Sequence, residues 1–148
     1  MLAGCNSPEM QSLFGSGPDE VMPVALPAPL VSAPPPPPAA RTAEEFDTTS
    51  AAERAAALAA PEPAGERSLG TTIASLGSPT EPGIWMETGL VTAVTMGRVL
   101  FAANGKSVSL QLRPSGRDAG SGSQISLAAM RLLEVPLTSL PEFSVFAQ

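Results

Sequence analysis

The sequence predicts a mainly β protein: a small β-barrel with one short helix, preceded by a disordered Pro/Ala-rich arm. Three observations predict it. Twelve of the seventeen prolines fall before residue 68, in a stretch that holds nine acids, three arginines and no sustained apolar period. Residues 68–148 carry five acids and five bases and break into short apolar runs separated by Gly, Pro and Asn-Gly. Several short strands with turn signals between them read as a barrel, not as a doubly wound sheet. One amphipathic run, after Ser126, has the length and spacing of a small helix.

The chain begins Met1-Leu2-Ala3-Gly4-Cys5. An apolar residue, two small ones and a Cys form a lipobox, which a signal peptidase cuts just before the Cys once its thiol carries a diacylglycerol. A secretory leader also needs a charged start and an apolar stretch of about 7–15 residues. Met1 alone precedes the motif, so the expectation is a start assigned too late or a trimmed chain. Residues 1–5 are thus read as the remnant of a lipoprotein signal, and Cys5 as the lipidation site. Asn6 follows where an inner-membrane retention Asp would stand, which favours the outer membrane.

Residues 6–41 hold Pro, Ala, Gly and Ser, with the run Pro34 to Pro38. Proline removes amide donors and biases its predecessor to extended backbone, so this segment reads as a linker with polyproline II character. At about 3.1 Å per residue it would reach on the order of 100 Å. Residues 42–60 read as a short Ala-rich helix. Thr42 with Glu45, and Ser50 with Glu53, both fit the capping box; the following Ala-rich run favours helix, and Pro61 and Pro63 stop it. Its Ala face buries little area, so alone it is marginal. Residues 61–67 form a second linker and 68–148 the barrel domain.

Within that domain Gly97–Ala103 and Lys106–Leu112 flank Asn104-Gly105, the strongest two-residue type I′ hairpin signal. It predicts 103 opposite 106, 101 opposite 108 and 99 opposite 110. Val99, Phe101, Val108 and Leu110 then share one face, with Arg98, Leu100, Ser107, Ser109 and Gln111 on the other. Thr71–Leu76, Ile84–Thr88 and Phe143–Phe146 complete the strands. Ser126 caps a helix running from Leu127 to about Glu134, with Leu127, Met130 and Leu133 on its buried stripe.

Composition excludes several chemistries. The chain has 148 residues, one Cys and no His or Tyr. That removes intrachain disulfides, multi-Cys metal sites, His-ligated metals and the Ser-His and Cys-His nucleophile pairs. No cofactor or metal is expected. With eight basic residues and a net charge of −6, no basic stripe is present to neutralise phosphates, so nucleic acid is not an expected partner.

Two resemblances extend this reading. The strand, Asn104-Gly105, Lys106-Ser107-Val108-Ser109-Leu110-Gln111-Leu112, the Gly-rich loop and then Gln124-Ile125-Ser126-Leu127-Ala128-Ala129-Met130-Arg131 resemble the second half of rare lipoprotein A. That resemblance, over roughly 97–147, implies a double-psi β-barrel. The family's Asp in Asn-Asp-Arg-Gly-Pro, implicated in cutting glycan strands, falls on or near Pro114 here, which implies that the lytic chemistry is lost. About Ala40 to Phe146, including Leu69-Gly70-Thr71-Thr72-Ile73-Ala74-Ser75-Leu76-Gly77-Ser78-Pro79-Thr80-Glu81-Pro82-Gly83-Ile84-Trp85, is also similar to small bacterial lipoproteins often labelled D-galactarate dehydratase. Sugar-acid dehydration needs a base for the α-proton and usually a metal for the enediolate. The sequence holds no metal-ligand cluster, which makes that activity the least favoured.

The candidate ligand-facing residues are Trp85, for stacking, Arg98 and Lys106, for acidic groups, and Asp118 in the Gly/Ser loop. Glu87 is the carboxylate to pair with Asp118 if glycan is cleaved, and Arg113 is a third cation on the same strands. Ser121-Gly122-Ser123 is a candidate anion cradle before the helix. Together these features predict a non-catalytic, lipid-anchored protein of the cell envelope facing the periplasm. Cys5 would hold the membrane, and the barrel would bind peptidoglycan or an envelope protein. A divergent glycan-cleaving enzyme is the alternative.

Overall fold

The computed structural model describes residues 33–59 and 65–148. Cys5, the lipobox, residues 6–32 of the expected arm, Ala60 and the linker residues 61–64 lie outside the described residues. Six strands form a closed barrel: β1 (Arg67–Leu76), β2 (Trp85–Thr88), β3 (Thr95–Phe101), β4 (Lys106–Pro114), β5 (Ser123–Ile125) and β6 (Glu142–Ala147). Around the ring they stand in the order β1, β5, β2, β4, β3, β6. β1 with β5 and β2 with β4 are parallel; the other pairings are antiparallel.

This ring maps onto itself when β1, β2 and β3 exchange places with β4, β5 and β6, which is the double-psi-like pattern expected. The two halves also repeat a hydrogen bond. Gly77 N donates to Ile125 O at 2.8 Å just after β1, and Ser115 N donates to Thr88 O at 3.1 Å just after β4. The halves differ in their last connection. In the second half it carries helix α3 (Leu127–Leu132), whose N-cap Ser126 accepts from Ala129 N. Leu133 closes the helix, and Glu134, in the left-handed region, turns the chain out two residues before Pro136.

The barrel interior is filled by alternate residues of each strand, among them Met86, Val99, Val108, Leu110, Leu112, Ile125, Phe143 and Val145, with Ala129 and Met130 of α3 and its C-cap Leu133 packed against them. The expected faces of the β3–β4 hairpin hold. Its register does not. Phe101 pairs with Lys106 and Val99 with Val108, two residues away from the type I′ expectation, so the loop has four residues, 102–105. Asn104 is the physical reason. Its side chain accepts from Lys106 N at 2.9 Å and donates to Leu133 O at 2.8 Å, tying the loop to the end of α3, and Gly105 alone takes positive φ.

The expected helix over 42–60 is two helices, α1 (Ala43–Phe46) and α2 (Ala51–Ala59). Both capping boxes form: Thr42 with Glu45 and Ser50 with Glu53 exchange their side-chain and amide bonds. An N-cap needs extended backbone, so a second box at Ser50 breaks the helix that the first one starts. These helices are docked. Ala57 belongs to the hydrophobic core, and α2 lies against β4. The small Ala face that buries little area lets the helix approach closely. Upstream, Ala33 is buried and Thr48 Oγ1 donates to Pro34 O, so residues 33–41 of the expected arm have defined contacts.

Candidate functional site

A cleft of about 460 Å³ opens beside β1 and β5, under the loop that joins β4 to β5. The loop is held from below. Ser115 N donates to Thr88 O, and residue 89 must be Gly, since a Cβ there would lie 2.6 Å from Asp118 O and closer still to Arg117 O. A single 3-10 turn, Ala119–Ser121, carries the loop across to Gly122, whose positive φ delivers the chain alongside Ile73 into β5.

The walls of the cleft are small and polar. Thr71, Thr72 and Ser75 come from β1, Ser121 and Ser123 from the loop and β5, and Gln124 supplies an amide. Thr72 Oγ1 and Ser123 Oγ share a buried hydrogen bond of 2.8 Å that joins β1 to the start of β5. Ile73 and Leu140, 53% and 68% exposed, give the rim two apolar side chains. Among the described residues the charges are Glu87, from β2, and Arg117, from the loop. Glu87 stands on the outer barrel face between Gln124 of β5 and Arg113 of β4. Among the described residues no hydrogen bond or ion pair engages the Glu87 carboxylate or the Arg117 guanidinium, so both charges are available to a ligand.

The four ligand-facing candidates read from the sequence lie elsewhere. Trp85 is 1% exposed. It sits on the outer face of β2, under the β1–β2 loop, with Gly77 against its ring edge and the Arg113 guanidinium 5.1 Å from its centroid. Its backbone exchanges hydrogen bonds with Ser126, which leaves it a packing residue, not a sugar platform. Arg98 is 7% exposed. Its Nε and Nη2 donate to Glu66 at 2.9 and 2.6 Å, and the guanidinium lies 4.8 Å from the Phe146 ring centroid. Those hydrogen bonds hold the Glu66 carboxyl below its ordinary value, against the opposing effect of burial. Arg98 is thus a structural cation and does not face a ligand.

Lys106 is half-exposed at the end of the hairpin and pairs with Glu134. Asp118 is exposed at the start of the 3-10 turn, makes no capping bond and does not line the cleft. Arg113 is engaged by Gln111 and Glu81. Ser121-Gly122-Ser123 does line the cleft, but it leads into β5 and not into a helix; α3 begins later, and the Ser126 hydroxyl at its N-terminus is buried against Trp85 N and Ala129 N. Ser121-Gly122-Ser123 therefore forms no anion cradle at a helix start, contrary to expectation. Of Glu87 and Asp118, Glu87 is the one in the cleft. Arg117, Thr71 and Ile73 were missed, because their meeting depends on a parallel pairing of strands about 50 residues apart that no local pattern encodes.

Among the described residues no group of three His, Cys, Asp or Glu is placed to hold a metal ion, and no helix is long and apolar enough to cross a membrane. No family model, curated protein or solved structure matches this chain.

Proposed function

We propose that this protein is a lipid-anchored component of the cell envelope whose barrel binds a periplasmic partner, peptidoglycan or protein, without turning it over. One observation supports it most: a hydroxyl-lined cleft that holds two disengaged opposite charges, Glu87 and Arg117, with Glu87 the sole carboxylate among the described residues that line it. Glycan cleavage by a pair of acids needs a second carboxyl about 5–10 Å away across the cleft. Opposite charges among hydroxyls suit recognition of a polar, mixed-charge ligand. The membrane part of the reading rests on Leu2-Ala3-Gly4-Cys5, with acylated Cys5 as the anchor and the outer membrane as the favoured site.

Two measurements test the proposal. Mass spectrometry of the N-terminal peptide from the membrane fraction of the producing cell should show a diacylglyceryl-modified Cys5; an unmodified peptide from the soluble fraction would sink the anchor. Full-length protein should sediment with purified peptidoglycan or an envelope protein, and Glu87→Gln with Arg117→Ala should abolish it. Release of sugar fragments, lost in Glu87→Gln, would instead favour the divergent glycan-cleaving enzyme. A sugar-acid dehydratase remains the least favoured reading, testable by loss of substrate in the same preparation.

A further inference from the structure

We infer that the cleft takes a short peptide, laid as an added strand along the open edge of β1, and not a bare glycan. This rests on the reading that the cleft is the binding site. β1 pairs with β6 along Arg67–Ile73 but with β5 only along Ala74–Leu76. On the β5 side, residues 67–73 therefore have no strand neighbour among the described residues. The direction of the backbone groups follows from two bonds. Ala74 N donates to Pro141 O, on the β6 side, and Gly77 N donates to Ile125 O, on the β5 side. Successive peptide groups point to opposite edges of a strand, so the amides of Thr71 and Ile73 point away from β6, into the cleft both residues line.

An unmatched strand edge is a template for another strand, and peptides that add to one draw affinity from main-chain bonds and specificity from side-chain pockets. The surroundings match such a ligand. The rim pair Ile73 and Leu140 receives an apolar side chain, Glu87 a basic side chain, and Arg117 a carboxylate in a two-pronged contact. Among the described residues no aromatic ring lines the cleft for a sugar face to stack on. The occupant is a short peptide with an amine-bearing side chain and a free C-terminal carboxylate.

The test uses the full chain, labelled for NMR, with three probes. They are acetyl-Ala-Lys-Val-Ala with a free C-terminus, the same peptide amidated, and glycan strands stripped of peptide. The free peptide should bind, shifting the Thr71 and Ile73 amide resonances and slowing their exchange. Methylating the peptide's own Val amide, or Ile73→Pro, should weaken binding about tenfold through one lost main-chain bond and the group it leaves unmatched. Arg117→Ala and amidation should each weaken it, and together should cost no more than either alone. The methylated peptide keeps the test sound if Ile73→Pro does not fold. Binding of stripped glycan, with Thr71 and Ile73 unmoved, would overturn the peptide inference and leave the binding-module reading standing. Equal binding of the amidated peptide would overturn the terminal-carboxylate assignment. If neither peptide nor glycan bound, this inference would fail; if full-length protein also bound neither purified peptidoglycan nor envelope protein, the proposed function would fail with it.

Discussion

Arg131 Nη1 donates to Asp47 Oδ2 at 2.8 Å across a sequence separation of 84 residues, and the Asp47 side chain is 2% exposed. Arg54 meets the same oxygen at 3.1 Å, and Thr49 donates to the other through both its amide and its hydroxyl. This cluster clasps the α1–α2 segment to α3, which makes residues 33–59 part of the folded unit.

Asp47→Ala removes the centre of that clasp. Both arginines are about one-third exposed, so the loss falls below that of a fully buried pair, at about 1–3 kcal/mol. Limited proteolysis should then cut within 33–59 before the barrel is attacked. A cycle of Asp47→Ala and Arg131→Ala, followed by chemical denaturation, should give a coupling energy above about 0.5 kcal/mol; additive losses would show that the segment is held by α2 packing alone.

Glu66 makes the fold sensitive to acid. Its carboxyl titrates lower in the folded protein than in the unfolded chain because Arg98 donates two hydrogen bonds to it. The sign follows from linkage: the stabilisation is fully present above the unfolded value, about 4.3, and is lost as pH falls through the lower folded value. Glu45 works in the same direction through the amides of Arg41 and Thr42. Glu66→Gln should flatten the fall in Tm below about pH 4; an unchanged slope would remove Glu66 from the account.

Gly77 is required by the ring of Trp85. A Cβ at 77 would sit 2.6 Å from Cη2 of that ring and 3.4 Å from Ile125 O. Gly77→Ala should therefore destabilise by about 1–3 kcal/mol through overpacking. Trp85 is the sole Trp, so its fluorescence reads the site directly. Emission should be blue-shifted in the wild type and move to the red in the variant.

Gly89→Ala should alter the cleft without touching its lining. The new Cβ would meet the carbonyl oxygens of Arg117 and Asp118, backbone atoms that cannot swing aside as a side chain does. Loop 115–122 would have to lift. Ligand affinity should fall while the stability cost stays near 1–2 kcal/mol. Affinity equal to wild type would show that Arg117 does not depend on this loop position.

Features that need only near neighbours are legible in the amino-acid order. The capping boxes at Thr42/Glu45 and Ser50/Glu53, the Ser126 cap and the alternation of Val99 and Phe101 against Val108 and Leu110 all depend on residues within a turn or on a period of two. Already the hairpin register escaped it, because Asn104 also answers to Leu133, 29 residues on. Closure of the ring decided the rest. The parallel pairing of β2 with β4 sets Trp85 beside Arg113, and Glu66 with Phe146 covers Arg98, so neither residue lines the cleft. The same closure joins Thr72 to Ser123 and brings Glu87, Arg117 and the open edge of β1 around one cleft. A parallel pair is joined by a long crossover whose length and hydrophobic pattern do not name the partner strand, so these meetings exist only in the folded barrel.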